Sequence, residues 1–406
     1  MITTALLLLA PFASTPTAIA QESEESTNSL AEALSSGRTW LDLNYRFEYA
    51  NQSTLERDAY ASTLRTALGY ETADYQGFKG LIEFEDISNL GNDIFNSTIN
   101  GESDRPVVAD PDSTEINQAF LSYSPSKHVD ARLGRQEIAY GNHRFVGTVA
   151  WRQNHQSFDA GRIDWKSGTG TQISYAYLDS VRRIFGENSV NGKEKMGSHL
   201  VDLRHEIDGV GDFAAYGYFL DFDRSTAFNS LTLGARFSGS QAIDENLKLL
   251  YTLEYATQDD AASNPVEIDQ DYWLAEIGID LGPATIRLGN EHLGGSGNAG
   301  DKFSTPLATL HKFNGFADLF LATPDTGLED RYLQVSGKIG AVKCAVTYHI
   351  FESDSGGIDY GTEFDVTAVY PLNAQTKIGA KIANFNSDEA FTNTDRAMVW
   401  INYRVL

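Results

Sequence analysis

The stretch Trp40-Leu41-Asp42-Leu43-Asn44-Tyr45-Arg46-Phe47-Glu48-Tyr49-Ala50 decides the fold. Leu41, Leu43, Tyr45, Phe47 and Tyr49 alternate with Asp42, Asn44, Arg46 and Glu48, and a strand sends successive side chains to opposite faces. The segment is therefore a ribbon, apolar on one side and charged on the other. Leu64, Leu68 and Tyr70 oppose Arg65 and Glu71 in the same way. Leu247, Leu249, Tyr251, Leu253 and Tyr255 oppose Lys248, Thr252 and Glu254, and Phe364, Val366, Ala368 and Tyr370 oppose Glu363, Asp365 and Thr367.

Half-charged strands arise in two architectures. A soluble sandwich buries its apolar faces against each other, whereas a transmembrane barrel turns them to lipid and keeps a polar lumen. Many of these segments run about 9–12 residues, which suits a tilted membrane strand better than a soluble one. Tyrosines gather at strand ends (Tyr49, Tyr70, Tyr255, Tyr370), where a barrel carries its interfacial girdles. About eighteen such segments can be placed, from 40–50 to 395–405, and single-chain bacterial barrels use even numbers. The links alternate in length. Thr72–Tyr75, Pro125–Lys127, Ser167–Thr169, Gly209–Gly211, Gly282–Pro283 and Pro371–Gln375 are short, whereas Ile87–Ser113, Ala139–His155, Val181–Met196 and Leu293–Glu329 are long. Short periplasmic turns and long outer loops require that phase, and a sandwich does not. The expected fold is all-β: one transmembrane antiparallel barrel over residues 38–406.

Composition agrees. The 406 residues are 41% hydrophobic and 11% aromatic, which excludes a disordered chain. The 31 basic and 56 acidic residues leave a formal charge of −25, a field that repels phosphate backbones, so no nucleic-acid partner is expected. The single Cys344 can form neither an internal disulfide nor a multi-cysteine zinc site. Leu6-Leu7-Leu8-Leu9-Ala10 and then Ala18-Ile19-Ala20 before Gln21 have the form of a secretory signal peptide over residues 1–20, although no Lys or Arg precedes the apolar run. Residues 21–37 read as a polar lead-in, too short for a separate plug domain. At the far end Val399, Ile401, Tyr403 and Val405 alternate as a final barrel strand should, though Leu406 follows where a terminal aromatic is usual.

Two stretches resemble the alginate-export-type family of outer-membrane porins. The first is Leu133-Gly134-Arg135-Gln136-Glu137 with Gly141, Arg144-Phe145-Val146-Gly147, Trp151-Arg152-Gln153-Asn154 and Phe158-Asp159. The second is Thr305-Pro306-Leu307-Ala308-Thr309-Leu310-His311 with Phe313-Asn314-Gly315 and Ala317-Asp318, followed by Gly327-Leu328-Glu329-Asp330 and Tyr360-Gly361-Thr362-Glu363. The resemblance implies an eighteen-stranded porin-like barrel in the bacterial outer membrane. It leaves the cargo open, because a fold does not fix a substrate.

The 139–155 link sets His143, Arg144, Arg152 and His155 beside Phe145, Val146 and Trp151. A solvated loop has no use for that apolar set, so the link is expected to fold into the lumen as a constriction loop. The link 293–329, with Phe303, Leu307, Leu310, Phe313, Phe316 and Phe320, invites the same reading. Arginine forks at a constriction select carboxylates and phosphates. The pore-lining or constriction set is therefore Arg132, Arg135, Arg144, Arg152, Arg162, Arg204 and Arg287, with the alternative that these residues pair with acids of the wall. Inward acids and bases nearly balance in number, so a mixed lumen is expected, suited to small polar, anionic or sugar-like solutes rather than long polyuronates. The acidic loops, such as Gly101–Glu115, read as solvated surface and not as a calcium site. No catalytic residue, cofactor or metal is assigned, because none of the eight histidines sits in a nucleophile-elbow or metalloprotease motif. Apart from solutes, the expected partners are outer-membrane lipid and the barrel-assembly machinery; the sequence leaves the oligomeric state open.

Overall fold

The computed structural model describes residues 29–405, so the signal-peptide region and the start of the lead-in lie outside the described residues. Among the described residues, eighteen antiparallel strands form one closed sheet. Each strand pairs with its neighbours in the chain, and β1 (Arg38–Gln52) closes the barrel on β18 (Thr394–Val405) from Leu41↔Val405 to Gln52↔Thr394. Strand lengths run from 8 residues in β5 (Val129–Gln136) to 15 in β1 and in β8 (Lys193–Ile207). Closure leaves no edge of unpaired N–H and C=O groups, which a bilayer would penalise.

Alternation sorts the faces as the first quoted stretch requires. Arg46 and Glu48 are 1% and 0% exposed and point inward, whereas Phe47 between them faces out. Leu68, Leu121, Leu133, Leu233, Leu253, Ile277, Leu288, Ile382 and Val399 are exposed around the barrel, up to 73% at Leu133. In water such a belt would be an aggregation hazard, but against hydrocarbon it is the surface a bilayer selects. Exposed rings flank it. Phe78 stacks on Tyr123 at 4.3 Å near the short-turn end, where Trp165, Tyr370 and Tyr403 also lie, and Tyr60, Tyr177 and Tyr255 mark the other end.

The described part of the lead-in packs against the barrel. Helix α1 (Leu30–Ser35) is capped by the Ser29 side chain, which accepts from the Glu32 N–H at 3.2 Å. It rests on the first short turn, where the Ala73 N–H donates to the Ala33 carbonyl at 3.1 Å.

The lumen is narrowed by inserted chain. Two long links, 137–156 between β5 and β6 (Ser157–Lys166) and 294–327 between β13 (Ala284–Leu293) and β14 (Leu328–Ile339), fold into it. Their Val146, Phe303, Leu307, Ala317 and Phe320 join Tyr216, Tyr218, Tyr272, Phe351 and Phe385 of the wall in one buried cluster. Phe145 lies 5.1 Å from the Tyr216 ring and 5.2 Å from that of Tyr272, and Phe320 lies 4.4 Å from Phe351. The 90–112 link also turns inward, with Phe95 and Val108 packed on Ala50, Ala59 and Ala61. Its Asp110 is 1% exposed, a correction to the reading of that acidic segment as solvated surface. The apolar Phe95 and Val108 that precede it draw the segment inward, and Arg46 and Arg152 receive the acid.

Candidate channel constriction

The two inserted links are joined to each other before they are joined to the wall. Val146 and Leu307 form a parallel bridge, the Gly147 N–H donates to the Leu307 carbonyl at 2.9 Å, and the Thr309 N–H donates to that of His143 at 3.0 Å. The buried Gln156 amide donates to both Gly147 and Leu307 carbonyls at 2.8 and 2.9 Å. Irregular backbone inside a barrel must be satisfied in this way, because no ladder is there to do it. Gly315 has φ +85, and a Cβ there would meet the Glu363 carboxylate, so only glycine lets the link approach the wall so closely.

Two ion networks then fix the joined links to the wall. In the first, Arg152 donates to Asp318 at 2.6 Å and to Glu48 at 3.2 Å, and Arg396 donates to Glu48 at 2.6 Å. Arg46 completes the set by pairing with Asp110 and by donating to the Trp151 carbonyl. Three guanidinium groups and three carboxylates, all with buried side chains, balance to neutrality, the condition for ion pairs to survive desolvation. The neighbouring cations hold the Asp318 carboxyl well below the usual range against the opposing effect of burial, and the three acids hold Arg152 charged. In the second network Arg144 lies 2.9 Å from Glu291 and donates to Asn314 at 3.1 Å, and Asn314 donates to Glu291 and Asp330 at 2.7 and 3.1 Å.

Between the links and the wall lies a cavity of about 50 Å³, lined among others by His143, Trp151, His311, Lys312, Phe316 and Lys381. His311 stacks on Trp151 at 4.5 Å, and its Nδ1 is 2.6 Å from Asp318. Burial, aided by the nearby cations, lowers the His311 pKa to about 3, so the ring is neutral at neutral pH. The Asp318 carboxylate accepts only, which assigns the proton to Nδ1 and leaves Nε2 to accept from Lys381 Nζ at 2.9 Å. Lys381 Nζ also sits 3.8 Å from the Trp151 ring centre and 3.9 Å from that of Phe316. His143 is lowered to about 4 by burial and by the charges of Lys312 and Arg204. Burial and Arg236 lower Lys312 to about 8. Lys312 and His143 thus share a field with the arginines of β8 and β10 (Ser230–Ala242).

The arginines read from the sequence occupy several places. Arg144 and Arg152 lie in the two loop networks. Arg135 donates to Asp159 at 2.8 Å and to the Ile116 carbonyl at 2.8 Å. Arg132 and Arg162 are register partners near the periplasmic end, bound to Asp130 at 2.7 Å and Asp164 at 2.9 Å. Arg204 pairs with Asp202 at 2.8 Å, and Arg287 pairs with Glu276. The seven do not converge on one point. Most of the wall pairs share one asymmetry. The Arg204 side chain is 41% exposed over an Asp202 that is 5% exposed, the Arg236 pair with Glu254 stands at 19% against 3%, and the Arg162 pair at 15% against 6%. Arg135 and Arg182, both less exposed than Asp159, and Arg65, less exposed than Asp42, run the other way. Arg396 and Lys312 escaped the sequence reading; the period of two in β18 places Arg396 on the inward face with Met398, a signal that was available.

Comparison with known proteins agrees with this geometry. A family model described as Alginate export matches residues 39–319. No curated protein sequence matches the chain. Among solved structures, OccK9 (OpdG) of Pseudomonas aeruginosa superposes with a TM-score of 0.73 at 12% identity, over 92% of this chain and 99% of that one. OpdK of P. aeruginosa, solved with vanillate, gives 0.68 at 13% identity over 90% and 98% of the two chains. OccK2 (OpdF) of P. aeruginosa, in complex with glucuronate, gives 0.69 at 12% identity over 92% and 98%. At these identities the likeness is one of fold.

Proposed function

Because the chain belongs to the alginate-export family and is an outer-membrane β-barrel of porin build, we propose that it conducts small anionic solutes, sugar acids among them, by passive diffusion. The observation that carries the reading is the exposure asymmetry of the wall pairs. Counted residue by residue, the inward charges nearly cancel, but a solute meets only what water reaches. At Arg204, Arg236 and Arg162 water reaches the guanidinium more than the carboxylate. A planar, permanently charged fork in a narrow, low-dielectric passage attracts carboxylates and focuses the field on them. Lys312 adds a further positive charge, Arg287 and Glu276 are about equally exposed, and Arg132 lies toward the periplasmic exit. Vanillate and glucuronate, seen with two barrels of the same fold, are both carboxylates of the size this reading requires.

On this reading the barrel is a conduit and not a catalyst: the His311–Asp318 pair lies inside the 294–327 link, and the His349–Asp330 pair braces two neighbouring wall strands. Its partners are lipid around the apolar belt, small polar solutes in the lumen, and the assembly machinery during insertion. The test is swelling of liposomes carrying the purified full chain, with a hexose, a hexuronate, an aromatic carboxylate and an oligouronate compared side by side. The two small acids should enter faster than the hexose, and the oligouronate no faster than leakage. Equal rates for hexose and hexuronate would remove the anionic preference, and rapid entry of the oligomer would favour polymer export.

A further inference from the structure

The root of the 294–327 link carries a cluster that neither the loop networks nor the channel wall uses. His292 ends β13, Glu329 opens β14, and Asp354 lies in the turn after β15 (Val342–Glu352). One ligating atom from each lies within 4.8 Å of the other two. His292 Nδ1 is 2.6 Å from Glu329 Oε1 and 4.0 Å from Asp354 Oδ1. We propose that these three side chains bind one divalent transition-metal ion, for which zinc is the natural probe, and that the ion fastens the root of the inserted link.

Four observations support a metal over a simple ion pair. Glu329 Oε2 is buried without a hydrogen-bond partner, although a buried carboxylate oxygen ordinarily finds one. His292 is 6% exposed and lies parallel to the Trp273 ring at 5.5 Å, which fixes its plane. Its other nitrogen, Nε2, faces Asp271 Oδ1 at 3.5 Å, the carboxylate–imidazole arrangement that orients metal-bound histidines. Asp354 is held in turn by the Gly295 N–H, which donates to Oδ2 at 3.1 Å. A proton shared by His292 and Glu329 would explain the short contact. It would not explain why Asp354 converges on the same nitrogen or why Glu329 Oε2 is unpartnered.

The donor set selects the class of ion. One imidazole nitrogen and two carboxylates leave a fourth position for water, as in three-ligand zinc sites, whereas calcium takes six to eight oxygens. Ligands about 2.0–2.1 Å from a tetrahedral zinc stand roughly 3.3 Å apart, between the two separations found here. The ion would part the close pair and draw Asp354 inward. The location gives the site a consequence. A Cβ on Gly295 would collide with the backbone of Gly327, so the two ends of the link pass in contact beside the cluster. An ion there ties β13, β14 and the following turn at the place where the link enters the lumen.

The experiment uses the full-length protein in detergent, stripped with a chelator and dialysed against micromolar zinc, with bound metal measured by atomic emission. One zinc per barrel is expected. His292→Gln and Glu329→Gln should each lower the affinity at least tenfold, Asp271→Asn by roughly tenfold as an orienting partner, and Asp269→Asn on the same rim not at all. Heat-modified migration in SDS reports folding of each variant. If a variant misfolds, cobalt(II) added to the wild-type protein decides. A visible absorption band of four-coordinate strength, displaced by one equivalent of zinc, supports the site, and its absence overturns it. Failure of the wild type to retain zinc, or full retention by both His292→Gln and Glu329→Gln, also overturns the proposal. Neither result touches the channel reading, which rests on Arg204, Arg236 and Arg162 on other strands.

Discussion

On the β1–β18 side of the lumen, Arg46, Arg152 and Arg396 are buried among Glu48, Asp110 and Asp318, and no charge is left for a solute to meet. Half-way round the barrel, Arg204 and Arg236 pair just as closely with Asp202 and Glu254, yet present their guanidinium groups to water. Both regions are built from the same residue types on strands of the same alternation. They differ in what covers them. The inserted links lie over the first region and convert its ions into a fastening, whereas the second remains bare and sets the field. Pairing alone therefore does not make an arginine structural; burial of the whole pair does.

The comparison breaks most readily at the fastening. Removing one member of a buried ion network leaves its partners uncompensated, at about 3–5 kcal/mol. Arg152→Ala or Glu48→Gln should thus free the joined links, raising single-channel conductance and current noise and opening the 137–156 link to protease in folded protein. An unchanged current would place the links elsewhere. A slightly smaller effect is expected on the outer face. Leu253, mid-strand in β11 (Lys248–Asp260) and 61% exposed, should cost about 2–4 kcal/mol when replaced by Arg if it faces the bilayer midplane. Leu249 shares that face but lies one residue from the strand's start, at the periplasmic rim, where the same change should cost less. Equal unfolding midpoints for Leu253→Arg and wild type in lipid would contradict the membrane reading.

How much of this was legible follows from the period. Alternation of two is a local property, so Arg46, Glu48 and Phe47 could be assigned to their faces from the first stretch alone, and the eighteen strands followed. The insertion of the 137–156 and 294–327 links was legible too, because Phe145, Trp151, Phe303 and Phe320 have no place in water. Whether an inward charge ends covered or bare was not, because it depends on which loop crosses the lumen above it. That is why Arg152 and Arg204 entered the same set, why Asp110 read as solvated, and why a count of inward charges gave a mixed lumen. Lys312 was masked by the aromatic residues around it, although it stands beside His311 in the quoted stretch.

Lys312 supplies the smallest of these effects. Its amine, lowered to about 8 by burial and by Arg236, is mostly charged at neutral pH and loses its proton as pH rises through that value. Anion preference should therefore decline modestly over that step while Arg204 and Arg236 keep their charge. Lys312→Gln should remove the step and leave a lower, flat preference. His143 and His311, lowered to about 4 and about 3, should add no change between mildly acidic and neutral pH.

The central claim is that exposed arginines over buried carboxylates make the lumen anion-preferring despite a chain charge of −25. The reversal potential of single channels under a potassium chloride gradient tests it most directly. The wild type should reverse on the chloride side of zero, and the double variant Arg204→Ala, Arg236→Ala should move toward zero or past it. Arg46→Lys at the fastening should leave the sign unchanged. A wild-type channel that reverses on the potassium side, or one unmoved by the double variant, would contradict the account.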